Sequence, residues 1–215
     1  MDFIQKHRQA FFLGSLILLL IGNILFPDDV QRETTLFLLG QNLVFSLFLL
    51  AGKPKWLKAV VYGLIGLIVL RLIGELFQSS FFVERTGEIL FTLYFLFVLI
   101  ALFLDVYGEK NVTMETVYAV FSGFIMMTIA FSLILMMINN LEPNSLNGIE
   151  DPTAFYEYTY FGFITMLTIG YGDITPNTEL TEKLVILAGL IGHFYTVFIM
   201  ALIIGKLVSN SGEKK

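Results

Sequence analysis

Apolar residues in this chain neither alternate with polar ones nor gather in short clusters; they come in long runs. Six mostly apolar stretches, at 11–26, 35–52, 59–77, 89–105, 114–138 and 183–208, are separated by polar connections. A helix needs about twenty such residues to cross the ~30 Å hydrocarbon layer of a bilayer, and a lone strand there would leave its backbone polar groups unpaired. The pattern therefore predicts six spanning helices, the first short enough to need its flanking residues. The connection between the fifth and sixth stretches breaks the pattern. It holds a polar, acidic part at 139–152, a semi-apolar part at 155–167, and then Thr168-Ile169-Gly170-Tyr171-Gly172-Asp173. Residues 155–167 are too few to span, so they are expected to form a re-entrant half-helix followed by an irregular loop. Such a loop is tolerated at membrane depth only where protein buries it or where it lines water. The expected fold class is an all-α membrane protein: a four-helix bundle over 1–110, then a helix, half-helix, loop and helix over 111–215.

Composition agrees with this division of the chain. Apolar residues make up 56% and charged residues 14%, against about a quarter charged in soluble domains. The net charge of −5, with no Lys/Arg cluster interleaved with aromatics, gives no reason to expect nucleic acid as a partner. There is no cysteine, which excludes disulfides, thiolate metal sites and cysteine nucleophiles. No paired His, His/carboxylate metal spacing or Ser/His/Asp set is present, so neither an enzyme nor a cofactor is expected. Lys6 and Arg8 precede the first run as in a signal peptide, but no small-x-small site closes it, so it is read as a retained span.

Lys6, Arg8, Lys53, Lys55, Lys58, Lys110, Lys206, Lys214 and Lys215 fall at alternate connections, and Asp28, Asp29, Glu33, Glu84 and Glu88 at the others. This bias predicts a multi-pass cell-membrane protein with both termini cytoplasmic. It puts the acceptor-like Asn111-Val112-Thr113 on the face where glycosylation does not occur. Only a short tail follows the last run, so no soluble regulatory domain is expected in this chain.

Ile164-Thr165-Met166-Leu167-Thr168-Ile169-Gly170-Tyr171-Gly172-Asp173 resembles the pore signature of the voltage-gated potassium channel superfamily, with Ile169 where Val is commoner. The resemblance implies a K⁺-selective channel subunit that lets K⁺ permeate passively. The K⁺ ligands it implies are the backbone carbonyls of Thr168, Ile169, Gly170 and Tyr171 and the Thr168 hydroxyl, with Gly172 completing the filter. K⁺ is then the permeant ligand. Each chain supplies one strand of the filter, so the resemblance also implies a homotetramer in a lipid bilayer. Inward-facing carbonyls require alternating backbone twist, which Gly170 and Gly172 make sterically cheap. The side chains of Ile169 and Tyr171 would face away from the pore and brace the loop against the half-helix, whose negative dipole end would lie near the dehydrating cation. A weakly selective cation channel and a K⁺ uptake subunit are the nearest rivals.

Around the filter several readings stay open. Tyr160 stands where many relatives carry a Trp bonded to the filter aspartate, so it either braces Asp173 or packs as an interfacial aromatic. Gly189 and Gly192 form a candidate gating hinge in the last span, with Gly205 in reserve; glycine is unfavourable inside a helix but also allows close helix packing. His193 beside them is expected to be packed and neutral. Glu142, Glu150, Asp151, Glu157, Glu179 and Glu182 are either a cation-concentrating vestibule or ordinary solvated loop charge. Thr175 stands where an aromatic ring would favour external tetraethylammonium block, so weak block is expected.

Six spans with the pore last is the superfamily's architecture, but residues 89–104 hold no basic residue and the second span offers only Gln41 and Asn42 in place of acidic counter-charges. Steep voltage gating is therefore not expected. Arg71 and Glu75, one turn apart, form a natural intrahelical pair, and Asp105 marks the inner end of the fourth span.

Overall fold

The computed structural model describes residues 7–22, 31–77, 81–108 and 113–212. Seven helices order these residues: α1 Arg8–Ile21, α2 Gln31–Leu49, α3 Lys55–Phe77, α4 Phe81–Gly108, α5 Met114–Leu141, α6 Phe155–Met166 and α7 Glu179–Gly212. Long apolar runs rich in Leu and Ile favour helix where no strand partner is at hand. The starts of α5 and α7 carry the same device. Thr113 and Thr116 exchange hydrogen bonds between hydroxyl and backbone N–H at 3.1 and 3.4 Å, and Thr178 and Thr181 do so at the same distances. Each pair satisfies amides that the first helical turn leaves without partners.

Among the described residues, four stretches are long and apolar enough to cross a membrane: Lys55–Ile73, Thr86–Tyr107, Met114–Leu141 and Glu179–Ile199. Two further apolar helices are shorter, Arg8–Ile21 and Phe37–Leu49. At 1.5 Å per residue the 14 residues of α1 reach about 21 Å. Residues 23–26 of the expected first span lie outside the described residues, as do the expected boundary at 110 and the Asn111-Val112 of the acceptor-like triplet. The all-helical expectation missed one feature: β1, Leu146–Asn147, pairs antiparallel with β2, Thr175–Pro176, Leu146 facing Pro176 and Asn147 facing Thr175.

The chain divides into two compact units. The first comprises Met1–Tyr62, Phe97–Met126 and Ile203–Lys215. Phe12, Leu16, Leu38, Leu49, Leu57 and Leu102 are buried in it. Asn42 Nδ2 donates to Ser15 Oγ and Gln41 Nε2 to the Ser15 carbonyl, each at 2.9 Å, so the two polar residues of α2 join it to α1. Interhelical bonds of this kind hold helices together where lipid supplies no hydrophobic drive. Asp105 is a hub. Its Oδ1 accepts from Arg8 Nη2 at 3.0 Å and from Lys53 Nζ, and its Oδ2 from Gln9 Nε2 at 2.8 Å. Lys53, expected as a loop cation, is in fact buried. Burial lowers its pKa, opposed by the bond and charge of Asp105. Glu115, at the start of α5, accepts from the Gln9 amide at 3.1 Å and lies 3.4 Å from His7 Nδ1.

The second unit comprises Gly63–Leu96 and Met127–Leu202. Its core gathers Leu135 of α5, Leu146 of β1, Tyr158, Phe161 and Ile164 of α6, and Ile174, with Phe131, Ile149 and Val185 packed around them. The half-helix α6 is thus the centre of this unit. Gly162 explains how closely α5 approaches it, since a Cβ there would run into Ser132 Oγ.

Candidate functional site

The site begins at the end of α6, where the helix stops because of backbone geometry. Leu167 is the C-cap. Thr168 follows with φ +59°, its N–H donating to Thr165 O at 3.0 Å, and the Ile169 N–H donates to Ile164 O at 2.8 Å. This pair of bonds is the Schellman termination, with Thr168 in the left-handed position usually held by glycine. A β-branched residue there is a backbone outlier and costs about 1 kcal/mol relative to an unstrained position. The Thr168 hydroxyl is therefore kept against a conformational penalty.

The Gly170 N–H also donates to Ile164 O, at 3.1 Å. Three consecutive amides, those of Thr168, Ile169 and Gly170, are thus turned toward the end of α6. Across a trans peptide the C=O points opposite to the N–H it is joined to, and none of the described peptides is cis. The carbonyls of Leu167, Thr168 and Ile169 therefore point away from α6. The handedness keeps alternating, with φ +57° at Gly170 and +83° at Gly172 and no positive φ at Ile169 or Tyr171. A Cβ at either glycine would meet nothing within 4 Å, so it is the φ, not space, that demands glycine. Alternating handedness lines up amides on one side, the geometry of an anion nest. On the other side it lines up carbonyl oxygens, which suit a cation that has shed its water.

Beyond the loop, Asp173 Oδ2 accepts from the Tyr160 hydroxyl at 2.5 Å and Oδ1 from the Ile174 N–H at 2.9 Å. The contact expected between Tyr160 and Asp173 is present. Those bonds hold the Asp173 carboxyl below the usual carboxylate range, and the bond to Asp173 pushes the Tyr160 hydroxyl up to about 12. Tyr171 and Ile169 are 72% and 49% exposed in the single chain.

Several supporting contacts were not anticipated by sequence reasoning. Glu157 is buried rather than solvated at a vestibule; its carboxylate accepts the Glu150 and Asp151 amides at 2.8 and 3.0 Å. Asn139 Nδ2 donates to Tyr158 Oη at 2.9 Å, and Tyr158 donates on to Pro152 O at 3.2 Å. Gly148, with φ +85°, lets the connection between α5 and α6 press on the far end of the loop, for a Cβ there would collide with Asp173 O. The Asn147-Gly148 turn pair was the sequence signal for this. Of the other acids, Glu179 pairs with Lys183 one turn on, while Glu142, Glu150, Asp151 and Glu182 are exposed.

On α7 the two candidate hinge residues differ. A Cβ added at Gly189 would meet nothing within 4 Å, whereas at Gly192 a Cβ would lie 2.5 Å from Met166 O and 2.8 Å from its Cα. Gly192 is thus a close contact between α7 and the end of α6, and its carbonyl also accepts from Thr196 Oγ1 at 2.9 Å. His193, expected to be packed, is exposed in the single chain. The Arg71 guanidinium lies against Gly87 of α4, where a Cβ would overlap Cζ; the Glu75 side chain of the expected pair lies outside the described residues.

Residues 123–209, which hold most of α5, all of α6 and the loop, and most of α7, match a family described as "Ion channel". The match supports an ion-channel domain. It covers under half of the chain. No curated protein and no solved structure gave a match.

Proposed function

We propose that the chain is one of four identical subunits of a potassium channel, crossing the membrane six times, with α6 re-entrant and residues 168–172 forming one strand of the selectivity filter. The observation that carries this reading is the alternation of positive φ at Thr168, Gly170 and Gly172 while the amides of 168–170 are tied to α6. One strand of carbonyls cannot enclose an ion, so several must converge, and the resemblance of the loop to the potassium-channel signature implies four. Support comes from what a single chain leaves uncovered. The loop is exposed along its whole length, and α7 presents Ile186, Leu190, Phe194, Val197 and Phe198 more than half exposed, a surface suited to neighbouring subunits and lipid. Thr168, Ile169, Gly170 and Tyr171 hold K⁺ through carbonyls, Thr168 adds its hydroxyl, and Tyr160 with Asp173 steadies the outer end. Gly192 places α7 against the filter-bearing helix, so bending of α7 there acts on the filter directly.

Reconstituted protein under opposed K⁺ and Na⁺ gradients tests the proposal. A reversal potential near the K⁺ equilibrium value is expected, and one near zero would mean a weakly selective pore. The mass of the detergent-solubilised assembly is expected at four chains.

A further inference from the structure

Asn139 and Asn140 are adjacent polar residues at the end of a mostly apolar helix, and they serve different elements. Asn139 holds Tyr158 of α6 at 2.9 Å and, through Oδ1, accepts from Ser145 Oγ at 3.1 Å and the Leu146 N–H at 3.4 Å. Asn140 Nδ2 donates to Glu88 Oε1 of α4 at 2.7 Å. Glu88 follows Gly87, the point on α4 against which the Arg71 guanidinium of α3 lies. A continuous set of contacts therefore runs from α3 through α4 and the last turn of α5 to α6. The same α6 ends in the Ile164 carbonyl that receives the amides of Ile169 and Gly170.

From this arrangement we infer that Glu88 and Asn140 are positioning residues for the filter. By bonding α4 to the last turn of α5 they fix the orientation in which Asn139 can reach Tyr158, and so fix α6 beneath the loop. A carboxylate accepting from an amide in a partly buried setting makes a stronger bond than a neutral pair, and a helix end, otherwise prone to fray, is where such a clamp has most effect. With no Lys or Arg from Thr86 to Tyr107, α4 then has a mechanical role, as a post for the filter. This inference rests on the potassium-channel reading for its consequence, but its geometry can be tested without it.

The experiment is amide hydrogen exchange on vesicle-reconstituted full-length protein, comparing wild type with Glu88→Ala, Asn140→Ala and the double variant. Exchange in peptides spanning residues 163–171 is expected to quicken about tenfold in each single variant, the ratio that a hydrogen bond to a charged group typically sets. Peptides from α1 and α2 should be unchanged, and the double variant should go no further than either single, as for two halves of one contact. Asn140→Asp should reproduce the loss by facing two carboxylates, and adding Glu88→Gln should restore slow exchange because donor and acceptor are then swapped. That swap also decides the matter if an alanine variant fails to assemble. Unchanged exchange at 163–171, additive effects, or no rescue by the swap would overturn the inference. K⁺ flux from the same vesicles tests the channel reading separately: absent wild-type flux counts against that reading, while the exchange comparison still decides this one.

Discussion

Asp173 and Tyr160 show how one contact at the end of the 168–173 loop can be insensitive to pH over the physiological range. The Tyr160 bond, followed by the amide of Ile174, holds the Asp173 carboxyl below its ordinary range. A depressed carboxyl contributes stability above its ordinary value, and that contribution is lost only as pH falls through the depressed one. The Tyr160 hydroxyl is raised to about 12, first by its bond to Asp173, so its contribution is full below the ordinary phenol value and lost as pH rises through about 12. The pair is therefore intact between about pH 5 and about pH 9. Tyr160→Phe is expected to speed the decay of K⁺ current at the filter several-fold, by the same factor throughout that window. Current decay in planar bilayers at stepped pH on the mouth side checks this; a Phe variant that decays like wild type would show that the bond does not steady the filter. Thr168 makes a complementary point, because it holds a left-handed backbone that glycine would take more cheaply. The hydroxyl is what glycine could not supply.

At the scale of elements, the ion pairs of the first unit carry more than their sequence positions suggested. Lys53 and Asp105 side chains are 5% and 14% exposed, and Arg8 and Gln9 complete the cluster that joins α1, the α2–α3 connection and α4. Removing one partner leaves the other charge buried, which costs about 3 kcal/mol, whereas replacing both by apolar residues of similar volume is often nearly neutral. Asp105→Ala is expected to lose about that much stability in unfolding of the detergent-solubilised protein, and Lys53→Met with Asp105→Leu to recover only the Lys53 share of it, since Arg8 and Gln9 still lose their acceptor. A loss below about 0.5 kcal/mol would place the pair among solvated surface contacts. The same cluster shows where sequence reading stops. The helices from α3 to α5, α6 and α7 were legible because apolar run length and the six-residue loop are local properties. Lys53 read as a loop cation and Glu157 as vestibule or solvated loop charge because each was judged by its neighbours in sequence. Their partners, Asp105 and the amides of Glu150 and Asp151, are brought near by folding. The β1–β2 pair, two residues a side, is too short for any alternation to show.

For the whole molecule, the distribution of charge in α4 decides how the proposed channel should respond to membrane voltage. Moving one elementary charge through the full field changes an equilibrium by about 2.3 kcal/mol per 100 mV, so steep gating requires several such charges in each subunit. From Thr86 to Tyr107, the stretch of α4 long and apolar enough to cross a membrane, there is no Lys or Arg. Arg71 on α3 is held against Gly87 of α4, so any displacement that carried it through the field would have to break that packing. The two carboxylates of the stretch, Glu88 and Asp105, are engaged with Asn140 at one end and with Arg8, Gln9 and Lys53 at the other. With both ends engaged and no cation between them, α4 is not expected to act as a voltage sensor. Macroscopic K⁺ conductance is accordingly expected to change less than about twofold between −100 and +100 mV, since that span acts on well under one moving charge per subunit. Voltage steps on reconstituted channels measure this directly. A sigmoidal conductance curve rising tenfold or more within about 20 mV would require several charges to move, and would place a sensor in residues that the packing of α3 and α4 holds still.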